Sequence, residues 1–399
     1  MNHSSLAGVK SLHYTGAMLK HGRRSEFDPR QAGDALNDRL MNDQFLSVRS
    51  LVIGIWSLVI HPLPVNSRLA PVIALCLWAM PGAAHAADPS VTINVIFVGD
   101  IMLDELPGQA IADGIDPFTP FDSLFKQADI TLGNLECVIA TTGEKVPKPY
   151  NFRASPICIP VIKRHFSAVT VANNHSGDYG KGALAEQCDL LDQAQMPYFG
   201  GGRNFAAAHT PLILERKGIR LALLGYDEFK PRIFEAGPNS PGIAWSVDQL
   251  VVDDIHAARE KYHADLVIPF MHWGWEYEEI SDRQRSFART MLDAGADAVV
   301  GAHPHVRQAI EYYHSKPIFY SLGNFVFNGF HDDETLTGWI LQLTLDKSGV
   351  TDWKTLVAHI DDRGLPHLVA DAKSPRGNAR TKQLLDYDPP YPKHEADDK

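Results

Sequence analysis

The chain has 399 residues, of which 45% are hydrophobic and 21% are charged, so it can bury a sizeable core and is neither disordered nor fibrous overall. Its 37 Lys and Arg residues stand against 48 Asp and Glu residues, which gives a net charge of −11. An acidic chain of this kind argues against nucleic acid as a partner, because nucleic acid requires a basic surface. The four cysteines are too few for a disulfide scaffold.

The N-terminal part of the chain is predicted to be a targeting region. Residues 65–86 have the pattern of a secretory signal peptide, with Arg68 before a short apolar run and Ala84-His85-Ala86 as the cleavage site. Residues 1–64 are interpreted as a polar leader that is not translated, because a signal peptide beginning at Met1 would be abnormally long. The alternative is an uncleaved membrane anchor through residues 51–80. Both interpretations predict export to the periplasm or the extracellular space.

Apolar runs and helical spacings then predict an alternation of strands and helices. In chain order we expect strand Val91–Val98, helix Phe121–Ala128, strand Asp129–Leu132, helix Val161–Ser167, strand Ala168–Ala172, helix Gly182–Gln195, a hairpin of Leu212–Leu214 and Leu221–Leu224, helix Gln249–Tyr262, strand Asp265–Phe270, helix Arg283–Ala294, strand Ala298–Val300, a hairpin of Ile310–Tyr313 and Ile318–Tyr320, and strands Thr337–Leu345 and Trp353–Ile360. This order favours α/β layers in one large domain over residues 87–372. Residues 373–399 are rich in Pro, Lys and Asp and predict an extended or disordered tail.

Polar motifs follow five of the predicted strands. Since the carboxyl ends of strands in a layered α/β sheet face one crevice, side chains at these positions should converge. The metal-competent residues among them are Asp100, Glu136, Asn174, His272, His303 and His305. Carboxylate, amide and imidazole ligands suit one or two divalent transition metal ions, Mn, Fe or Zn. Taken alone, Asp100 could equally be the cap of a helix.

In combination, these motifs resemble one family. The quoted segments are Gly99-Asp100-x-Met102-Leu103, Asn134-Leu135-Glu136, Ala172-Asn173-Asn174-His175-x-x-Asp178-x-Gly180, His272-Trp273-Gly274, Gly301-x-His303-Pro304-His305 and Tyr320-Ser321-Leu322-Gly323-Asn324-Phe325. They resemble the capsule synthesis protein CapA family, the poly-γ-glutamate biosynthesis accessory proteins. That family is similar in fold to the calcineurin-like metallophosphoesterases. The resemblance therefore implies a four-layer α/β/β/α sandwich of the metallo-dependent phosphatase type with a two-metal site.

The resemblance also implies roles for the matching residues. Asp100 matches the first metal carboxylate, Glu136 resembles the bridging carboxylate and Asn174 resembles the amide ligand. The three remaining imidazole ligands match His272, His303 and His305.

The catalytic position and one departure from the pattern follow from the same comparison. His175 resembles the catalytic histidine, with Asp178 close to it; the alternatives are that His175 is only a structural partner of Asp178 and that Asp178 only supports the following helix. Met102 stands where the phosphoesterases have a histidine ligand, and a thioether is a poor ligand for these metals. If the first strand extends that far, Met102 faces the site and Met102→His should add a ligand.

Substrate contacts are expected from Asn134, Asn173, Trp273 and Arg153. Trp273 directly follows a proposed ligand and could wall the crevice or simply pack under a loop. The segment Lys145–His165 contains five basic residues and no Asp or Glu, so it could receive an anionic polymer or be a solvated loop. Cys137 and Cys158 could form a disulfide, but this pairing cannot be deduced from the sequence.

Two functions remain open at this stage. The first is an exported accessory protein for the synthesis, attachment or processing of an anionic capsule or cell-wall polymer, with that polymer or its precursor and a membrane-bound polymer synthase as partners. The second is a metal-dependent hydrolase of phosphoesters or γ-glutamyl amides. A solute-binding protein fits less well, because the motifs are rich in metal ligands.

Overall fold

The computed structural model of the protein describes residues 91–230, 232–370, 372–378 and 383–385. The predicted leader, signal peptide and anchor therefore lie outside the described residues. Within them, no helix has the length and apolar character needed to cross a membrane.

The described residues form seven α-helices and 20 strands. The helices are α1 Glu105–Ala112, α2 Asp122–Phe125, α3 Cys158–His165, α4 Gly180–Gln193, α5 Phe205–Ala208, α6 Asp248–Glu260 and α7 Asp282–Asp293. The first ten strands are β1 Ile93–Ile101, β2 Ile130–Leu135, β3 Val138–Ile139, β4 Arg153–Ala154, β5 Ala168–Thr170, β6 Tyr198–Phe199, β7 Gly201–Gly202, β8 Leu212–Arg216, β9 Ile219–Asp227 and β10 Gly242–Ile243. The others are β11 Leu266–His272, β12 Val299–Ala302, β13 Ile310–Tyr313, β14 Lys316–Phe319, β15 Asn324–Val326, β16 Thr337–Asp346, β17 Gly349–Ile360, β18 Pro366–Leu368, β19 Arg376–Asn378 and β20 Gln383–Leu385.

Two large sheets contain most of these strands. The first has the order β20-β19-β17-β16-β1-β2-β5-β6, with β15 beside β1 and β18 beside β17. The second has the order β13-β14-β12-β11-β9-β8. The strands are parallel through β1, β2, β5 and β6 in one sheet and through β9, β11, β12 and β14 in the other. The carboxyl ends of these parallel strands carry the site described below.

The alternation of apolar side chains along the strands produces three hydrophobic cores. Val95 and Phe97 of β1 belong to the core between the sheets, where the ring centroid of Phe97 lies 5.7 Å from that of Phe270 on β11. The other face of β1 packs against α3 in a second core, and the outer face of the second sheet packs against α6 and α7 in a third. The predicted four-layer α/β/β/α sandwich of the metallo-dependent phosphatase type is confirmed.

Several local predictions differ from the structure. The helix predicted over Phe121–Ala128 is limited to Asp122–Phe125. Helix α1 was not predicted, because its sequence contains Pro107 and Gly108; it begins after Asp104, whose side chain accepts a hydrogen bond from the backbone N–H of Glu105. Residues of the predicted tail form β19 and β20, which extend the first sheet beyond β17.

The end of β1 passes unusually close to the loop before β15. The backbone N–H of Asp100 donates to the carbonyl of Gly323 at 3.1 Å. A Cβ atom at position 99 would lie 1.8 Å from that same carbonyl oxygen. Gly99 is therefore required for the contact that places Asp100.

We expect Gly99→Ala to destabilise the protein by about 1–3 kcal/mol or more, since the added methyl group forces two backbone segments apart. Denaturant unfolding of the full-length chain measures this. The matched control is Gly182→Ala in α4, where no atom lies within 4 Å of the new Cβ and the change should be neutral or stabilising by up to ~1 kcal/mol. Equal effects of the two substitutions would contradict the close contact at Gly99.

Candidate metal centre

Both sheets contribute polar side chains to one cluster at their carboxyl ends. Asp100 lies near the end of β1, Glu136 follows β2 and Asn174 follows β5, all from the first sheet. His272 is the last residue of β11, and the loop after β12 carries the remaining two imidazoles, His303 and His305. All six side chains are buried. The predicted convergence of the strand ends is thus present in the structure.

One group of ligand atoms surrounds the imidazole of His272. Its Nε2 lies 2.9 Å from Oδ1 of Asn174 and 3.0 Å from Nδ1 of His303. The same nitrogen is 3.5 Å from Oε1 of Glu136. Side chains from four strand ends thus present donor atoms to one small volume.

A second group consists of Glu136, His303 and His305, whose ligand atoms lie within 4.8 Å of one another, and Asp100 borders it. Oδ2 of Asp100 is 3.5 Å from Nδ1 of His305, and Nε2 of His305 is 3.9 Å from Oε1 of Glu136. Glu136 therefore belongs to both groups. This is the position that a carboxylate shared by two ions would occupy, as the family resemblance implies.

The protonation chemistry of the cluster fits a divalent cation. Both carboxylate oxygens of Glu136 are buried and have no hydrogen-bond partner among the described residues. Burial raises the pKa of Glu136 well above its usual range, and the negative charges of Asp100 and Glu276 raise it further. Burial also lowers the pKa values of His272 and His303 well below the usual value, which leaves both imidazoles neutral with a lone pair to offer. A bound cation would remove the cost of the unpaired carboxylates.

Asn134 contacts two side chains of the cluster, and Asn173 holds Asn134 in turn. Nδ2 of Asn134 donates to Oδ1 of Asp100 at 2.8 Å and lies 3.1 Å from Nδ1 of His272. Nδ2 of Asn173 donates to Oδ1 of Asn134 at 3.0 Å. Both residues are almost completely buried, and Asn134 contacts two of the candidate ligands. Their contact with substrate stays a prediction.

His175 is oriented toward the cluster by a buried carboxylate. Its Nδ1 lies 2.7 Å from Oδ2 of Asp178, and its Nε2 lies 4.0 Å from Oε1 of Glu136. Asp178 also accepts from the backbone N–H of Phe152 at 2.7 Å and forms an ion pair with Nζ of Lys148 at 2.5 Å. Burial lowers the pKa of His175 to about 4. A neutral imidazole therefore directs Nε2 at the centre, with Asp178 fixing the ring.

Two predicted substrate residues lie outside this cluster. Trp273 is fully buried, and its Nε1 donates to the carbonyl of Tyr320 at 2.9 Å in the core beneath α6 and α7. Arg153 donates to the carbonyls of Thr142 and Gly143, each at 3.3 Å, and its guanidinium carbon lies 4.2 Å from the ring centroid of Tyr179. Of the two alternatives for Trp273, packing is the one that the structure supports.

The expectation that Met102 faces the site is wrong. Strand β1 ends at Ile101, and Met102 is fully buried in the core on the helix side of the first sheet. Its sulfur accepts a hydrogen bond from the backbone N–H of Asp104 at 3.2 Å. Met102→His would not add a ligand there. The disulfide drawn between Cys137 and Cys158 is also absent, because both are buried free thiols.

The basic segment Lys145–His165 is not one surface. Lys163 donates to the carbonyl of Ala194, and Arg164 forms an ion pair with Asp116 at 2.8 Å. Lys148 alone among the five basic residues contacts His175, with Nζ 3.2 Å from Nδ1.

Sequence reasoning missed two residues that border the cluster. Oδ1 of Asn324 lies 2.8 Å from Nδ1 of His305 and so orients that ring; the residue was part of a quoted motif but had no assigned role. Asp227 ends β9 and pairs in register with His272. It was missed because the predicted strand stopped at Leu224. Asp227 is buried, and its Oδ2 has no hydrogen-bond partner in the described part of the chain.

Comparison with known proteins identifies relatives of this chain. The family described as bacterial capsule synthesis protein PGA_cap matches residues 94–329. The PGA biosynthesis protein CapA of Bacillus subtilis (strain 168) is 32% identical over 273 residues, covering 65% of this chain and 71% of that protein. The capsule biosynthesis protein CapA of Bacillus anthracis is 31% identical over 262 residues, covering 63% of each chain, which is less than two thirds of that relative. Among solved structures, the NAD nucleotidase of Haemophilus influenzae has a TM-score of 0.40 and 12% identity, covering 70% of this chain and 54% of that chain.

We expect the double substitution His303→Ala/His305→Ala to remove most of the bound transition metal, because both imidazoles are proposed ligands and belong to one group with Glu136. Elemental analysis of the purified full-length protein measures the metal content. The matched control is His256→Ala on the exposed face of α6, which should leave the metal content unchanged. Equal metal content in all three proteins would contradict the site.

A second expectation concerns Asp227, whose pKa burial raises well above the ordinary value of 3.8. An ionised carboxylate costs more in the fold than in the unfolded chain, so this residue opposes folding at neutral pH. Asp227→Asn should raise the free energy of unfolding at pH 7. The gain should shrink as the pH falls toward 3.8, where the unfolded chain also takes up the proton.

Denaturant unfolding of the metal-free protein at pH 7 and pH 5 compares the two states, with Asp253→Asn on the surface of α6 as the control. A loss of stability at pH 7 would mean that the Asp227 carboxylate has a stabilising cationic partner.

Proposed function

The chain belongs to the bacterial capsule synthesis protein PGA_cap family, and from that premise we propose that it is an exported metal-dependent hydrolase that processes an anionic capsule polymer of the poly-γ-glutamate type. The bond cleaved would be a phosphoester or a γ-glutamyl amide. A membrane-bound polymer synthase would be its working partner. The family membership and the predicted signal peptide support the location and the polymer.

One observation carries the proposal of metal chemistry. The Glu136 carboxylate is fully buried, has no hydrogen-bond partner among the described residues, and belongs to two groups of oxygen and nitrogen donors. Asp100, Glu136 and His272 would hold one ion, and Glu136, His303 and His305 would hold a second, so that Glu136 is shared. Asn174, whose Oδ1 lies 2.9 Å from Nε2 of His272, would complete the first set. When bound, such ions supply Lewis acidity to a phosphoryl or carbonyl oxygen and to water.

His175 would transfer the proton in this reaction. Asp178 accepts a hydrogen bond from the Nδ1–H group of His175, which leaves the Nε2 lone pair directed at the cluster. Nε2 can therefore accept a proton from the attacking water and return it to the leaving oxygen or nitrogen, so that the imidazole is neutral again after one cycle. Lys148 lies beside this histidine, and its ion pair with Asp178 would hold the His175–Asp178 pair in place.

The alternative function is an accessory protein that retains this fold for binding or assembly, with little turnover. The His175–Asp178 pair favours hydrolysis, because a binding protein has no use for an imidazole held at this orientation. The alternative predicts that the His175→Ala variant still supports polymer production in cells.

We expect His175→Ala to lower hydrolysis by about 10²–10⁴-fold while the bound metal stays unchanged, since His175 is not one of the proposed ligands. The substrates are bis(p-nitrophenyl) phosphate and γ-glutamyl-p-nitroanilide, with the full-length protein loaded with Mn²⁺. His256→Ala serves as the control with full activity. Unchanged turnover in His175→Ala would remove the catalytic role of this residue.

The alternative is tested in cells. If the wild-type protein hydrolyses neither substrate, and polymer production in cells lacking the native protein is restored equally by wild type and by His175→Ala, the accessory function is correct and the hydrolase is not.

A further inference from the structure

A cleft of about 550 Å³ opens beside the metal centre and has no role in the proposed hydrolysis. It is formed by Phe229 and the loop that follows β11. The side chains that decide its chemistry are three aromatic rings and three carboxylates: Phe229, Trp275, Tyr277, Glu276, Glu278 and Glu279.

The cleft adjoins two of the proposed ligands. The ring centroid of Phe229 lies 4.0 Å from that of His303, and the ring of Tyr277 lies 6.4 Å from that of His305. Phe229 and Trp275 meet edge to face at 6.2 Å. A molecule in the cleft would therefore extend toward the metal ligands along an aromatic wall.

The loop is held in a defined conformation while its aromatic side chains stay open to solvent. The backbone N–H of Tyr277 donates to the carbonyl of Pro304, and Nε2 of Gln308 donates to the carbonyl of Glu278, each at 2.9 Å. Nevertheless, the exposed fraction is 64% for Trp275 and 53% for Tyr277. Large rings fixed at the surface of a cleft are typical of a binding site.

The charge of the cleft selects the kind of ligand. Its lining contains three carboxylates and no lysine, arginine or histidine among the described residues. The carboxylates and the Trp and Tyr rings that line this cleft would attract an organic cation in two ways, by charge and by the cation–π interaction. The carboxylates of a polyanion would be repelled from the same place.

We propose that this cleft binds a protonated primary amine of the substrate, such as the amine end of a polymer chain or of an acceptor. The anionic part of the substrate then lies toward Lys148 and His175. The substrate class is accordingly a molecule with an ammonium group on one side of the bond to be cleaved and carboxylate or phosphate groups on the other. The position of the cleaved bond rests on the proposed function, whereas the ammonium site itself does not.

The test is equilibrium binding of pentane-1,5-diamine to the full-length protein at pH 7 and low salt, measured by calorimetry. Pentane-1,5-diol is the neutral probe of the same length. We expect saturable binding of the diamine, at least tenfold weaker binding of the diol, and weaker diamine binding as salt increases. Glu276→Gln/Glu278→Gln and Trp275→Ala should each weaken diamine binding at least tenfold, and Trp275→Phe should restore part of it.

The matched control is Glu215→Gln/Glu260→Gln, which removes the same charge from exposed positions elsewhere and should leave diamine binding unchanged. An equal loss in this control would show general attraction to an acidic protein and would overturn the proposal. Equal binding of diamine and diol, or tighter binding of a neutral oligosaccharide, would overturn it as well.

Metal content and hydrolysis are measured on the same proteins, which separates the two proposals. Diamine binding without bound metal or turnover would leave this inference standing and refute the hydrolase. Metal binding and turnover without diamine binding would refute only the ammonium site.

Discussion

The burial of two carboxylates against each other is the constraint on which the rest of this structure depends. Asp100 and Glu136 are completely buried at the carboxyl ends of neighbouring strands. The Asp100 carboxylate accepts hydrogen bonds from Asn134 and from the backbone of His303, but the Glu136 carboxylate accepts none from the described residues. Removing two negative charges from water without compensation is costly. The neutral imidazoles and the amides around them form a ligand set that a divalent cation would complete.

The backbone accommodates this cluster at the cost of local strain. His303 and His305 have φ values of +98° and +59°, conformations that L residues adopt rarely and that recur at functional sites. The loop that carries them spans the top of the second sheet, and its rings meet residues from the first. Gly99 permits the matching close approach within the first sheet. Two of the nine non-glycine residues with positive φ in the described part of the chain thus lie in the cluster itself.

The surroundings of the cluster are electrically asymmetric. The charges of Lys148 and Asp178 are paired beside His175, while Glu276, Glu278 and Glu279 line the aromatic cleft beside His303 and His305. Under the proposed function, an anionic polymer would approach from the side of His175, because the carboxylates of the cleft would repel it. The proposed hydrolysis at His175 and the proposed ammonium site in the cleft thus lie in regions of different charge.

The amino-acid sequence by itself determined the family, the α/β layering and the six residues of the candidate metal centre, because strand ends in such a fold must face one edge and the motifs follow the strands directly. It could not determine which neighbouring side chains share that edge. Asn134, Asn173 and Asn174 have the same side chain, and only the direction in which the backbone points it differs. Trp273 points into the opposite layer from its neighbour His272, because adjacent residues alternate faces. Met102 was misplaced because β1 ends at Ile101, a boundary that depends on pairing with β15. The acidic cleft arises from segments far apart in the chain, Phe229 and residues 275–279, and only tertiary packing brings them beside the same two histidines.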